Sequence, residues 1–577
     1  MKTICGQRLP TPLVSCFFLA LATSLVAAPP KVNHLFPAGG QRGQSIVVTA
    51  AGEFSNWPVQ VWFDRPGLAA TCDPEKGKLK IAIAADAAPG TYWLRIHDAE
   101  GAAALRPFIV GTLPEMEEVE TNDIPSKLSP TEPRITINGR LRKNGDEDGF
   151  LIPLQKGQTL VASLQAHSVL GSPLDAVLQV CEMTLRTDPI TREPQMEAFV
   201  SAQNHDAIGL DPQIAFTARQ DGQYLVRLFA FPSEPNSTIG FAGGENCVYR
   251  LTLTTGGFVD HALPLALPRD EAQVRLAGWN LPEPATIDVP SGDEPLAWLF
   301  HPDAAGAWPV PRITRPSIVA TDASDPSQPQ EVQLPVTVSG RLESANDADA
   351  FAFVGTKGQK VRVQVEARSL GFPTDATVAL LDAAGQVVAE QDDTGRDDRD
   401  PTLSATLATD GQHRIVLRDL SGRGGLRMAY RLTIATPEPD FELSLAADSF
   451  VLAADKPLEI PLSVTGLEGF SESVEIRVLD LPKGVTAEPL SVQATGAANG
   501  GDSGRRSRRR GGAQAAAPAN AKVILKADPI AILAGGGPIR IEGRFKDEDG
   551  ELVRVARFPL GQPLTDKHSA VWLTVKK

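Results

Sequence analysis

The chain is 577 residues long, with 50 Gly, 47 Pro, 5 Cys and 42% hydrophobic residues, and at roughly 150 residues per domain it has length for about four domains. Its 22% of charged residues is an ordinary globular value and argues against wholesale disorder. The net charge of −15 argues against nucleic acid as the main partner, because phosphate binding needs a basic surface.

At the N-terminus, Lys2 and Arg8 precede an apolar run from Leu13 to Val26, and Ala27 and Ala28 offer small residues for cleavage. This pattern predicts a signal peptide over residues 1–28 and an exported protein in the periplasm, at the cell surface or outside the cell. Leu13-Val14-Ser15-Cys16 resembles a lipobox, but the apolar run lies mainly after Cys16, which favours ordinary secretion. No second apolar stretch reaches the roughly 20 residues of a spanning helix, so no transmembrane segment is expected. Without the leader, Cys72, Cys181 and Cys247 remain, too few for a disulfide framework. Cys181 and Cys247 are expected at inward-facing positions, and whether they pair stays open.

Residues 29–113 read as one small sandwich. Ser45-Ile46-Val47-Val48-Thr49 and Leu79-Lys80-Ile81-Ala82-Ile83 have the length and β-rich content of strands, and Pro89-Gly90 is a turn signal. The opening Phe36-Pro37-Ala38-Gly39-Gly40 and the later Ala88-Pro89-Gly90-Thr91-Tyr92 resemble the IPT/TIG immunoglobulin-fold domain. That resemblance implies a fold and no ligand.

Residues 114–256 and 331–437 are two copies of one module. Gly139-Arg140-Leu141 matches Gly340-Arg341-Leu342, and Asp146, Asp148 and Phe150 match Asp347, Asp349 and Phe351. Further on, Lys156-Gly157-Gln158 matches Lys357-Gly358-Gln359, and Asp211-Pro212 matches Asp400-Pro401. Asp221-Gly222-Gln223 matches Asp410-Gly411-Gln412, and both copies close on Tyr-Arg-Leu-Thr from Tyr249 and Tyr430. These residues, with Glu120-Thr121-Asn122-Asp123, resemble the bacterial pre-peptidase C-terminal domain, which implies an antiparallel β-sandwich. The second copy lacks the Glu-x-Asn-Asp segment.

Residues 257–330 are read as a small immunoglobulin-like unit opening near Ala272, with a linker near Asp322 to Gln330. Residues 438–577 are read as a C-terminal sandwich interrupted by a Gly/Ala/Arg-rich insertion over 494–521, whose composition cannot build a core. The expected fold class is therefore all-β, a tandem array of antiparallel β-sandwiches.

The search for catalytic chemistry finds no constellation. Gly501-Asp502-Ser503-Gly504 spells part of a serine-protease motif but lies in low-complexity sequence, with no positioned His–Asp pair beside it. The eight histidines are scattered without metal-ligand spacing. Trp279, Trp298 and Trp308 fall close together, and core burial outweighs sugar stacking as their explanation. The chain is expected not to be an enzyme.

Calcium is the one expected cofactor, in a structural role. If the segment is extended, Glu118, Glu120 and Asn122 share one face, because side chains alternate with period two. Two carboxylates and an amide oxygen on one face suit calcium, which takes six to eight oxygen ligands. Collagen-binding domains of bacterial collagenases, which this module resembles, bind calcium through a similar Glu-x-Glu-x-Asn-Asp segment. That resemblance carries onto Glu118, Glu120, Asn122 and Asp123, with Asp146 and Asp148 closing the site from the first hairpin. The expected function is non-enzymatic binding, adhesion or spacing outside the cell, with an extracellular protein or polysaccharide as partner. The alternative is an accessory or remnant component of a secreted protease or hydrolase system.

Overall fold

The computed structural model describes residues 27–187, 192, 194–234, 240–292, 294–321, 327–395, 398–496, 518–528, 530, 535–548, 550–561, 564 and 567–577. The stretch read as a signal peptide, apart from Ala27 and Ala28, lies outside these residues. So do Gly501-Asp502-Ser503-Gly504 and the arginines of the insertion. Among the described residues nearly all regular structure is strand, with a single four-residue α-helix at His167–Leu170. The fold class is the all-β sandwich series expected from the sequence.

In the first sandwich, Lys31–Phe36, Ser45–Glu53, Lys78–Ile83 and Leu68–Cys72 form one sheet. Gly39–Gln41, Arg106–Gly111, Gly90–Asp98 and Gln60–Phe63 form the facing one. Lys78–Ile83 alternates strictly, burying Leu79, Ile81 and Ile83 against Tyr92, Leu94, Ile96 and Phe108.

The repeated modules share one strand plan, to which the second adds the short Gln330–Glu331 beside Ala348–Gly355 at the edge of its facing sheet. In the first, Glu115–Glu117, Arg134–Arg140, Val248–Thr254, Thr159–Gln165 and Gln213–Thr217 make one sheet. Ser317–Val319, Val336–Arg341, Ala429–Ala435, Lys360–Glu366 and Thr402–Thr406 repeat that order in the second. Asp148–Leu154, Gly222–Pro232, Leu174–Thr187 and Pro194–Asn204 make the facing sheet of the first. Ala348–Gly355, Gly411–Asp419, Ala376–Leu381 and Val387–Gln391 follow the same order in the second. The second module's first strand, Ser317–Val319, thus precedes the stretch read as linker.

The repeated motifs act as staples. Asp211 accepts the backbone N–H groups of Ala166, His167 and Ser168, and Asp400 accepts those of Ala367, Arg368 and Ser369. Each carboxylate thereby satisfies three donors of a short helical turn that has no other cap. Asp221 accepts Lys156 N at 2.7 Å, and Asp410 accepts Lys357 N at 2.7 Å. Shared sequence here means shared backbone support.

Cys181 and Cys247 are free thiols, and only Cys247 sits in the inner cluster. Cys181 is buried but follows the core residue Val180, so strand alternation turns it to the opposite face. The inward placement expected for Cys181 was therefore one residue out of phase.

The small unit is built on the plan of the first sandwich. Phe258–Leu263 pairs with Gln273–Trp279 through a bulge between Val259 and His261. Lys31–Phe36 pairs with Ser45–Glu53 through a bulge between Val32 and His34. The unit therefore opens at Phe258 and not near Ala272. Val32-x-His34-x-x-Pro37 against Val259-x-His261-x-x-Pro264 was the sequence signal for this.

The last sandwich pairs Asp440–Leu445, Leu458–Leu467, Ala519–Ala527 and Val485–Ala487 in one sheet. Ser449–Ala453, Val571–Lys576, Gly535–Lys546, Ser473–Leu479 and Leu490–Gln493 make the other. The ends of the stretch read as an insertion over 494–521 instead belong to the sandwich: Ala494 lies in its core cluster, and Thr495 pairs with Thr465 and Ala519 with Val464, neighbours on one strand.

Candidate metal centre

The candidate site lies where the approach to the first repeated module meets its first hairpin. Glu115–Glu117 runs parallel to Arg134–Arg140, and Glu118 continues the ladder by donating its N–H to Asn138 O at 3.0 Å. Beyond Glu117 the segment leaves the sheet, yet burial keeps a period of two. Glu118 and Asn122 are buried and Glu120 is half-buried, while Val119, Thr121 and Asp123 are exposed.

Glu118 is held by Arg140 N–H at 2.9 Å on Oε1 and by the Tyr249 hydroxyl at 2.9 Å on Oε2. The same hydroxyl lies 2.5 Å from Asp148 Oδ2. A phenol has one proton to donate, so it cannot satisfy both carboxylates while both are ionised. Gly139 makes the arrangement possible: a Cβ there would lie 2.2 Å from the Tyr249 ring and 2.4 Å from Glu118 Oε2. Gly340 faces Tyr430 at the same 2.2 Å, which explains the glycine of the repeated Gly-Arg-Leu motif.

Asp146 accepts Arg142 N–H at 2.5 Å, closing the turn that carries it. Carboxylate oxygens of Glu120, Asp146 and Asp148 all lie within 4.8 Å of one another. Arg142 Nε reaches Glu118 at 3.5 Å and Glu120 at 3.4 Å, but its side chain is 46% exposed. Lys143 reaches Asp146 only at 3.9 Å and is 73% exposed, so two largely solvated cations stand against four carboxylates.

The electrostatics follow. Burial, reinforced by Glu118, pushes the Asp148 carboxyl up to about 9, so it holds a proton at neutral pH. Burial, then Asp146 and Glu118, also raise Glu120. Burial raises the Tyr249 phenol further still.

Three buried side-chain atoms remain without partners. Asp148 Oδ1 has none, and neither Oδ1 nor Nδ2 of Asn122 has one. Asn122 is nevertheless anchored beside Asp148, since its carbonyl accepts Gly149 N–H at 3.1 Å. Orphaned buried polar atoms cost roughly 1–3 kcal/mol each and call for an unseen partner. Every donor in the cluster is an oxygen, so the residues fit a hard cation such as calcium and not a thiolate- or imidazole-seeking metal.

Of the six residues expected from sequence, the structure brings together Glu118, Glu120, Asn122, Asp146 and Asp148. Asp123 is exposed, out of step with the alternation that turns Glu118, Glu120 and Asn122 inward. Tyr249 and Arg142 were missed as members. The recurrence of Tyr249 and Tyr430, each opposite a repeated glycine, was the available signal for the former.

The three neighbouring tryptophans are taken up by packing. Trp298 stacks on Arg65 at 4.7 Å, Trp308 on Phe372 at 5.3 Å, and Trp279 lies 6.1 Å from Phe258. A buried His–carboxylate pair unremarked in the sequence also emerges, with His261 Nδ1 2.9 Å from Asp260. Its ring is fully enclosed by Trp308 and Phe372, and Arg427 takes the other Asp260 oxygen at 3.0 Å. The pair ties the small unit to the second module.

No family model matches the chain, and no curated protein matches it. Among solved structures, it is similar to a periplasmic inhibitor of g-type lysozyme, PliG, from Aeromonas hydrophila. That match has 14% identity over 21% of this chain and 97% of the other, with a TM-score of 0.16. It is similar to the pre-peptidase C-terminal domain of collagenase from Bacillus anthracis at 15% identity, over 18% and 94% of the two chains, with a TM-score of 0.15. A third similarity is to CorA, a surface-associated copper-binding protein of Methylomicrobium album BG8. It has 12% identity over 22% and 98% of the chains and a TM-score of 0.18. Each spans about a fifth of the chain, at an identity that leaves function to the residues themselves. Among the described residues no helix is long and apolar enough to cross a membrane.

Proposed function

We propose that the chain is an exported, non-enzymatic binding protein whose first repeated module carries a structural calcium ion. Glu118, Glu120, Asn122, Asp146 and Asp148 hold the ion, and the partner is an extracellular protein or polysaccharide. The observation that carries the calcium reading is the pair of unpartnered oxygens, Asp148 Oδ1 and Asn122 Oδ1, buried beside clustered carboxylates. The ion supplies positive charge inside the cluster, which the solvent-facing Arg142 and Lys143 meet only from its rim. Its role is to pin the approach segment, and so the end of the first sandwich, to the module.

An ion that binds only the folded protein raises its stability by about 2.7 kcal/mol at a hundredfold excess over Kd. Melting curves of the full chain with calcium and with chelator should therefore separate. Glu120→Gln with Asp148→Asn should merge them, and Asp347→Asn in the second module should leave them apart. Superimposable wild-type curves at millimolar calcium would sink the calcium reading.

A further inference from the structure

The first and last sandwiches, far apart in sequence, grip one another. Arg95 has no solvent exposure and crosses the contact, its Nη1 2.9 Å from Asp448 and its Nη2 donating to Ala570 O at 3.1 Å. Lys576 pairs with Glu100 at the rim. Leu105 of the first sandwich belongs to the core cluster of the last, and Trp62 and Trp93 pack against that cluster. Two histidines sit inside the contact. The His97 ring lies 4.4 Å from that of Trp572, and the His568 ring lies 5.9 Å from Trp93 and 6.0 Å from Phe558.

The aromatic surroundings disfavour a second proton on either ring, His97 being buried and His568 keeping 19% of its side chain exposed. His568 Nδ1 already accepts Ala570 N–H at 3.0 Å, so protonation there breaks that bond. The groups facing His568 are Arg95, Arg557, Asp448 and, 4.0 Å from Nε2, Asp64. Those facing His97 are Asp98 and Arg95. Asp448 is committed to Arg95 and Asp98 to Asn56, while Asp64 spends Oδ1 on the backbone N–H of Trp93 and holds Oδ2 4.0 Å from His568 Nε2, beyond hydrogen-bond reach. A new imidazolium at His97 would thus be buried beside an already buried guanidinium, and one at His568 would face the same Arg95 together with Arg557.

We propose that this contact is an acid-released latch, in which protonation of His97 and His568 separates the first and last sandwiches and opens the chain. Burial, with Arg95 and Arg557 adding to it at His568, lowers both rings from 6.5 to about 4. In the open form they return to ordinary values and take up protons. Closure is therefore fully favoured above about pH 6.5 and weakens as pH falls toward 4, by up to about tenfold per pH unit for each ring. The latch does not depend on the calcium reading, since it lies in other sandwiches.

The test is small-angle X-ray scattering of the full chain between pH 7.5 and 4.5, with far-UV circular dichroism alongside. The radius of gyration should rise reversibly in acid while strand content holds, and the H97F/H568Q double variant should stay compact throughout. A wild-type radius unchanged at pH 4.5, or a double variant that opens along the wild-type profile, would overturn the proposal. Should the double variant already be open at pH 7.5, NMR titration of the wild-type histidine rings decides. Both rings must resist protonation to below about pH 5, and an ordinary midpoint near 6.5 for either one refutes the latch.

Discussion

The two repeated modules run the same strands in the same order, and at corresponding points they hold different chemistry. Tyr430 donates to Asp349 at 2.5 Å as Tyr249 does to Asp148, and Asp347 accepts a turn N–H from Glu343 at 2.7 Å as Asp146 does from Arg142. The approach strands diverge. Ala320 donates its N–H to Ser339 O at 2.8 Å, the ladder position that Glu118 fills in the first module. A methyl group thus stands where the first module buries a carboxylate. The Asp–Tyr frame is structural in both copies, and what the first adds is an acidic approach segment laid over it.

If the frame is common, breaking it should damage both modules equally. Gly139→Ala and Gly340→Ala each drive a Cβ into a buried tyrosine ring that cannot swing away. Each should cost about 3 kcal/mol, at the upper end of ordinary overpacking. Calorimetry of the full chain should show one transition displaced to lower temperature in either variant. A harmless Gly340→Ala beside a damaging Gly139→Ala would mean that the glycine serves the metal site and not the frame.

The added segment is tested by pH. Without calcium, Asp148 has a folded pKa of about 9, above the ordinary carboxylate value of 3.8. Its proton-bound form then contributes stability that is present at low pH and is lost as pH rises toward 9. Calcium must displace that proton, so its apparent affinity should strengthen with pH, by up to about tenfold per unit across that window. Isothermal titration in two buffers of different ionisation enthalpy should reveal about one proton released per ion. Asp148→Asn should remove both the release and the pH slope, whereas no proton release in the wild type would deny Asp148 its role as ligand.

Tyr430→Phe sharpens the comparison on the other side. It strips a buried partner from Asp349, and should cost about 2 kcal/mol, within the range for an unmade buried hydrogen bond. Tyr249→Phe in saturating calcium should cost less, because the ion supports Glu118 and Asp148 without the hydroxyl. Equal losses measured by thermal melting would show that the ion does not share that load.

Sequence carried the fold further than the site. Alternating runs such as Lys78–Ile83 have one buried face, so their period is written locally. Glu118, Glu120 and Asn122 were legible for the same reason, being two residues apart on one approach segment. Tyr249 was not, because its bond to Glu118 spans 131 residues and depends on which strands become neighbours. The latch was further out of reach, since Arg95 and Ala570 meet across 475 residues. Cys181 shows the limit of repeat matching: its counterpart Leu381 is apolar, yet Leu381 also lies beside a core residue, Leu380, and not within the cluster.

The modules differ once more, in the hairpin at the edge of the second sheet. Leu174–Thr187 and Pro194–Asn204 pair out to Thr187 and Pro194, whereas Ala376–Leu381 and Val387–Gln391 stop at Leu381 and Val387. The surplus carries Leu185 and Met196, which are 64% and 44% exposed. Neither belongs to the inner cluster, which on the first strand of this hairpin ends at Val180. Cutting out residues 184–197 and joining Met183 to Ala198 through Asn-Gly should therefore reproduce the short hairpin of the second module, because that dipeptide suits a two-residue turn. Loss of exposed contacts and a shorter loop each amount to a few tenths of a kcal/mol and act in opposite directions. The expected change in stability is within about 0.5 kcal/mol, and the calcium shift should be untouched. A loss as large as that of Gly139→Ala would instead make the arm part of what holds the first module together, a role without counterpart in the second.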